Sequence, residues 1–513
     1  MTKIAPLLLT ITVFVCTLAL YWRTAAPSVL SGDSAEFQLA AATLGVPHPT
    51  TYPLYTLVGH LATRLIPSSD VARRVTLASA VCAALAAAVF FWMARRAAGG
   101  WRGALVAALA LGVTPGLWNA ATLAEVYALL ALLLALALLA LLGREPGVPP
   151  AAPLALGLIA GLGCTHHGLF VIAMLPPLLL GARPFAPRRL LGFGLGFALG
   201  LTPWLYPAIQ FARYGPFNGL DYGLPQMYFW GAPQSWGALA DLLSGGAIRR
   251  GIFQIPTSGE ALAVLTMVAG RLGFEFGPVG VTFGLVGLAA LLRRRERDDA
   301  LFASGWAAAA NLGYLLLLGP AVEDAPVFTL PLLLPWALWL AFGVETLLGI
   351  FDSGGLKPAA RNDHALPGIR AHSRLSVDNL PVGRRTTQIA LTTLLIAATL
   401  AWGRSRVPYT NKRDQWLFRT FGEATLSAVT PGAAVMAHWE QGMALQYLSR
   451  VEGVRRDVFV DVVEPGDEAW AARAARRYRG RAVYLVGSPA DVVGLPVVLV
   501  RADPYANLYR LER

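Results

Sequence analysis

The chain has 513 residues, of which 56% are hydrophobic and only 14% charged, with a mean hydropathy of +0.54 and a formal net charge of +12. A soluble globular protein carries about 25% charge. Apolar blocks near span length recur through residues 1–403, which excludes a soluble enzyme on a single anchor and gives a polytopic α-helical membrane protein. The positive charge does not mark a nucleic-acid binder. Basic residues sit at span ends, as Arg95-Arg96, Arg188-Arg189 and Arg293-Arg294-Arg295, where they set orientation, and no basic-aromatic interleaving suggests base stacking.

In chain order, hydropathy predicts about eleven spans, at 5–22, 76–94, 102–117, 123–142, 152–165, 168–182, 190–210, 277–292, 300–319, 326–348 and 387–403. The first is read as a retained span, because no small-residue cleavage site follows its apolar run cleanly. With Lys3 inside, the clusters at Arg95–Arg102, Arg144, Arg183–Arg189 and Arg293–Arg297 all fall on the inner side. So does the segment 350–386, which is rich in Gly, Pro, Asn, Asp and Arg and reads as a flexible loop. Loop 23–75, loop 211–259 and the tail 404–513 then lie outside, so the protein is placed in the cell (inner) membrane with its polar site extracytoplasmic.

The tail changes character. Ala433–Met436, Val458–Val463, Ala482–Val486 and Pro496–Val500 look like strands, with helical stretches near 441–451 and 467–478. That alternation predicts a small α/β domain over 404–513 behind a membrane domain over 1–403. Cys16, Cys82 and Cys164 all stand in apolar context and are read as small core residues. No Cys/His spacing resembles a zinc site, and no metal or cofactor is expected.

The chemistry-bearing residues gather on the outer side. Loop one opens with Ser31-Gly-Asp-Ser-Ala-Glu36 and continues through His48, Tyr52 and Tyr55. Two acids three residues apart at a membrane surface are functional candidates. Asp33 and Glu36 also fit a capping box, with Asp33 as N-cap of a helix at roughly 34–44 and Glu36 at its third position, and both readings stay open. Glu125 at the start of the fourth span is favoured there by the helix dipole. Alternatively it faces the same cavity, with Asn119 and Tyr127 contacting sugar hydroxyls. The tandem His166-His167 stands between two apolar runs. Either residue could be a satisfied core histidine, or one could line the site. Arg249 and Arg250 lie on the side disfavoured for cations and call for an anionic partner, for which a lipid phosphate suits the planar guanidinium. The same loop also holds Arg213, Tyr228, Trp230 and Trp236.

Ser31-Gly-Asp-Ser-Ala-Glu-Phe37, Gly45-Val-Pro-His-Pro-Thr50, Tyr52-Pro-Leu-Tyr55 and Glu125-Val-Tyr127 resemble the GT-C glycosyltransferases. They are most similar to bacterial relatives of the animal O-mannosyltransferase family that modifies IPT domains. Trp230-Gly-Ala-Pro233 looks like the family's Trp-Gly-Asp-Pro with Ala232 in place of the acid, and Thr51-Tyr-Pro53 stands where the family has Gly-Tyr-Pro. His438-Trp-Glu-Gln441 and Val454-Arg-Arg-Asp457 look like its outer domain.

The resemblance implies an enzyme that moves a sugar, such as the hexose mannose, from a polyprenyl-phosphate donor to a hydroxyl of a protein or glycan acceptor, with inversion. The roles expected are Asp33 as general base, Glu36 as its helper or a sugar ligand, and Arg249 or Arg250 as phosphate clamp. His48, Tyr52, Tyr55, Asn119, Glu125, Tyr127, His166 and His167 would bind substrate. A lipid or solute transporter or flippase is the alternative. It would show internal repeats and acids near span centres.

Overall fold

The computed structural model describes residues 4–143, 152–183, 185–217, 228–246, 253–293, 298–319, 327–353, 382–463 and 469–512. Among the described residues, seven helices are long and apolar enough to cross a membrane, a broken pair makes an eighth, and three shorter apolar helices bring the number to the eleven expected. They are α1 (Ile4–Thr24), α4 (Val71–Ala98), α5 (Trp101–Gly112) with α6 (Pro115–Thr122), α7 (Tyr127–Leu142), α8 (Pro153–His166) and α9 (Gly168–Gly181). Then follow α10 (Pro187–Gly200) with α11 (Leu205–Tyr214), α13 (Ser258–Leu292), α14 (Asp298–Leu318), α15 (Leu330–Ser353) and α16 (Val382–Thr410). Four short helices fill the loops and the tail entry: α2 (Gly32–Thr43), α3 (Pro53–Leu65), α12 (Trp236–Ser244) and α17 (Leu417–Ala428).

Two spans depart from the expected outline. The third is bent by 55° between α5 and α6, because Pro115 cannot donate to the α5 ladder and starts a new helix at its first position. The eighth starts well before residue 277: α13 runs from Ser258, with a kink at Gly277 (φ +67) ahead of Pro278. Two acids in span interiors lie against helix starts. Glu275 accepts from the Gly116 N–H at 2.8 Å, and Glu345 from the Gly103 N–H at 2.7 Å. Each carboxylate meets the first turn of a helix, where unpaired N–H groups and the dipole favour an anion.

Burial sorts the helices. Alanine-rich α4 and α15 are enclosed, with 78% and 89% of their apolar windows buried. By contrast α1 is 17% buried and turns Ile4, Leu7, Leu8, Ile11 and Val15 outward. Cys82 is in the core as expected, but Cys16 is exposed on this peripheral helix and is not a core residue. Close crossings use small residues, as membrane helices do. A Cβ at Gly287 would come within 1.6 Å of the Trp339 carbonyl oxygen, and one at Gly161 within 2.3 Å of that of Phe197.

The tail is the α/β domain the sequence predicts. It holds β1 (Ala434–Ala437), α18 (Trp439–Tyr447), β2 (Phe459–Val462), α19 (Trp470–Arg477), β3 (Val483–Gly487), β4 (Val497–Arg501) and β5 (Asn507–Leu511). The sheet order is β2-β1-β3-β5-β4, with β2, β1 and β3 parallel and β5 and β4 antiparallel. The expected strands are present within a residue or two, whereas β5 and α17 were not foreseen. Inside the domain, Arg473 pairs with Asp461 through two bonds of 2.7 Å, and Tyr478 donates to the same carboxylate.

The domain sits directly on loop one. Arg419 on α17 donates to Ser28 and Asp70 of the membrane domain at 2.9 and 3.2 Å, and binds Glu452 bidentately. α18 packs along α2. Buried residues of both parts, Ala35, Leu39 and Tyr228 with Val435, Met443 and Leu445, share one hydrophobic cluster.

Candidate active site

The site begins with the first turn of α2. Its N-cap is Ser31, not Asp33, and no side-chain cap bond forms, so the capping-box reading is overturned. Asp33 and Glu36 are one turn apart on one helix face and converge on His48, which the reversal at Leu44–Gly45 brings back over α2. Leu44 closes α2 in the left-handed conformation. Val46 then pairs with the 228–230 segment, donating to the Tyr228 carbonyl and accepting from the Trp230 N–H, each at 2.8 Å. A Cβ at Gly45 would lie 2.7 Å from the Tyr228 carbonyl oxygen, so only glycine admits this approach.

The two acids have different surroundings. Glu36 is fully buried. It accepts from the His48 backbone N–H at 2.8 Å and the Tyr228 hydroxyl at 2.6 Å, and contacts the His48 ring through Nδ1. Asp33 is half exposed, with 51% of its side chain open. Its Oδ1 accepts from Trp439 Nε1 at 3.0 Å, and its Oδ2 lies 3.8 Å from His48 Nε2. Burial pulls the His48 imidazole down, but the carboxylates of Glu36, Asp33 and Glu125 overcome it and lift the ring to about 9. Burial likewise pushes Glu36 up, against the opposing pull of His48 and Tyr228. His48 is thus a cation near neutral pH, held between a buried acid and an exposed one.

An aromatic wall leads away from this cluster. His48 meets Phe37, Tyr52 and Trp439 at ring separations of 5.3, 5.2 and 6.3 Å. Tyr52 meets His167 at 5.8 Å, His167 meets Tyr127 at 5.6 Å, and Tyr127 meets Phe328 at 6.2 Å. Thr51 and Tyr52 both adopt left-handed backbone, with φ of +66° and +38°, a strained choice for side chains with a Cβ. The strain sets the Tyr52 ring against His48 immediately before Pro53 starts α3. Glu125 joins from α7's approach, accepting from the Ser34 hydroxyl at 3.0 Å.

The expected binding residues divide. His48, Tyr52, Glu125, Tyr127 and His167 come together. His166 is fully buried and donates through Nε2 to the Val126 carbonyl at 2.9 Å; of the tandem pair it is the packing residue, 6.3 Å from the Tyr52 ring. Tyr55 is also fully buried, with its hydroxyl on Ser79 and its ring behind Phe37, so it supports the wall from the core side. Asn119 lies on α6, which packs on α1, α4, α7 and α16; its Oδ1 is buried without a partner among the described residues, and it is not part of the cluster. Arg249 and Arg250 fall outside the described residues.

Two residues of the site had been seen in the sequence without a role. Tyr228 was one aromatic in a loop of interfacial aromatics, and Trp439 belonged to a tail motif more than 400 positions from Asp33. Only the Val46 pairing and the docking of the tail bring them in.

Asp33, Glu36 and His48 also offer three ligand atoms within 4.8 Å of one another, a set that could hold a metal ion. In the structure these groups face one another, with the His48 ring turning Nδ1 to Glu36 and Nε2 toward Asp33.

Residues 33–182 match the family described as the protein O-mannosyl-transferase TMEM260 N-terminal domain. The match starts at Asp33 and takes in Glu36, His48, Tyr52, Glu125 and His167. Protein O-mannosyl-transferase TMEM260 of Mus musculus is 33% identical over 206 residues, which cover 38% of this chain and 29% of the mouse protein. The chain thus spans under a third of that relative's length. Among solved structures, apo ArnT from Cupriavidus metallidurans superimposes with a TM-score of 0.59 at 15% identity, over 98% of this chain and 97% of that one. The same protein bound to undecaprenyl phosphate gives a TM-score of 0.57 at 14% identity, with the same coverage. This chain is therefore a multi-pass membrane protein that shares the fold of ArnT, and its residues 33–182 are similar to the O-mannosyl-transferase N-terminal domain.

Proposed function

We propose that the chain is a membrane glycosyltransferase that moves a hexose, such as mannose, from a polyprenyl-phosphate donor to a protein hydroxyl at the outer face. The observation that carries this is the unequal pair of acids: a buried Glu36 saturated by His48 and Tyr228, beside a half-exposed Asp33. Asp33 Oδ2 takes the acceptor's proton. The acceptor oxygen bonds to the anomeric carbon as the bond from that carbon to the phosphate oxygen breaks, which inverts the centre. The polyprenyl phosphate leaves as an anion and needs no general acid. The aromatic wall gives the sugar ring apolar faces, and Glu125 and Tyr127 supply polar contacts to its hydroxyls. Cationic stabilisation of the leaving phosphate falls to Arg249 or Arg250. ArnT's complex with undecaprenyl phosphate and the mouse relative's name support donor and acceptor class respectively. A transporter would place its ionisable groups along a path through the spans. Here Glu275 and Glu345 are engaged at helix ends, and the cluster lies at one end of the bundle.

The test is Asp33→Asn. It keeps the size and the acceptor for Trp439 but removes the base. Transfer from a polyprenyl-phosphate sugar by purified protein should fall on the order of a hundredfold or more, with the protein still folded and donor binding unchanged. Parental transfer by this variant would end the assignment of Asp33.

A further inference from the structure

The half-exposed Asp33 is held from outside its own domain. Trp439 and Glu440, the first two residues of α18, reach across to the first turn of α2. Trp439 Nε1 donates to Asp33 Oδ1 at 3.0 Å, and its ring stands edge-on to His48 at 6.3 Å. Glu440 lies over the other side of the same turn. A Cβ on Gly32 would come within 2.8 Å of the Glu440 carboxylate, and Gly32 itself has φ of +50°. The first turn of α2 lacks a side-chain cap of its own, and a carboxylate set against it supplies the negative charge that its free N–H groups and dipole favour. Gly32 is thus required twice over, by its backbone and by the space that Glu440 fills. The rest of the docking surface keeps α18 in register: Arg419 ties the tail to Ser28 and Asp70, on the segments that flank α2 and α3.

We propose that Trp439 and Glu440 are positioning residues for the base, so that the C-terminal domain completes the active site. The proposal rests on the assignment of Asp33 above. With Oδ1 committed to the indole N–H, the carboxylate cannot swing about its side-chain torsions, and Oδ2 stays on the side of His48, where the acceptor hydroxyl must deliver its proton. Glu440 fixes the turn that carries Asp33. Neither residue takes or gives a proton in the reaction. The transferable sugar and its phosphate are bound by the membrane domain, so loss of either contact should lower turnover and leave donor affinity alone.

The experiment uses the full chain in nanodiscs, with kcat and donor KM measured for the parent, Trp439→Phe, Glu440→Gln and Asp33→Asn, and for Trp439→Phe combined with Asp33→Asn. Trp439→Phe keeps the ring beside His48 and removes only the donor. It should lower kcat about tenfold, within the range for a hydrogen bond to a charged group, with donor KM unchanged. Glu440→Gln should lower kcat by roughly threefold, the scale of a charge at a helix N-terminus, and carries the test if Trp439→Phe fails to fold. In the Asp33→Asn background, Trp439→Phe should cost nothing further. A second cycle, on thermal unfolding of Trp439→Phe, Asp33→Ala and their combination, reads the contact without any activity. The two losses in Tm should be clearly less than additive. Parental kcat for both tail variants in an enzyme that Asp33→Asn inactivates overturns the positioning role. So does a raised KM at parental kcat, which would make Trp439 a substrate contact. Coupled stability together with an active Asp33→Asn would show that the contact exists but that the base assignment, not the contact, has failed.

Discussion

Glu36→Gln separates the buried acid's charge from its shape. Glutamine fits the same volume and keeps a carbonyl oxygen for the His48 backbone N–H and the Tyr228 hydroxyl, which lie 2.8 and 2.6 Å away. What disappears is the carboxylate that most strongly raises His48. In the parent that ring sits at about 9 against an ordinary 6.5. The folded state binds this proton more tightly than the unfolded state. The stabilisation is therefore complete below about pH 6.5 and is lost as pH rises through about 9. At about 1.4 kcal/mol per pH unit, the interval bounds it at roughly 3 kcal/mol. Glu36, itself pushed up by burial, opposes part of this near neutral pH, so the net is smaller. The assay is the thermal unfolding midpoint of the parent and the variant from pH 6 to pH 10. The parent's midpoint should fall across the alkaline half of that range. The variant's fall should be at most half as large, because Asp33 and Glu125 still act on His48 while burial now weighs more heavily. Groups that titrate elsewhere in the chain affect both proteins alike and cancel in the difference. Parallel curves would refute the view that Glu36 holds the proton on His48.

Three further outcomes follow from the same geometry. Thr51→Gly should raise stability by about 1 kcal/mol with transfer preserved, because a β-branched residue at φ +66° is strained and its hydroxyl is buried without a partner among the described residues; a loss of stability, read as a lower unfolding midpoint, would contradict this. Chelator treatment followed by added Mn²⁺ should leave transfer unchanged, since Glu36 already accepts from the His48 backbone N–H and the Tyr228 hydroxyl and meets the His48 ring; loss with EDTA and recovery with Mn²⁺ would make Asp33, Glu36 and His48 a metal centre. In a cysteine-free background, an impermeant thiol reagent applied from outside should label cysteines placed at Ser68 and Ser488 but not at Ser353, as the loop charges require; labelling at Ser353 would break the span count.

Much of this protein is determined by its sequence alone. The eleven apolar segments are legible because each must bury or expose about the same length of backbone to lipid, whatever its neighbours do. The tail strands are legible for a similar reason, as short β-branched runs between turn residues. Asp33, Glu36 and His48 could be singled out because polar groups at a membrane surface need a reason to be there. The bend at Pro115 and the start of α13 behind the Thr257–Glu260 capping box have local causes, but local pattern could not say which carboxylate meets which helix end, Glu345 at Gly103 and Glu275 at Gly116. Nor could it separate the two acids. A capping box and a pair of functional acids share one sequence pattern, and only the return of His48 over α2 and the reach of Tyr228 make Glu36 the buried partner and Asp33 the open one. The same limit hid Tyr55 and His166 as packing residues, since an aromatic ring facing substrate and one facing the core look alike along the chain. Trp439 is the extreme case. It stands 406 positions from Asp33, and no periodicity links residues at that separation. Only the docking of the C-terminal domain, through Arg419 and the shared apolar cluster, places its indole on the carboxylate.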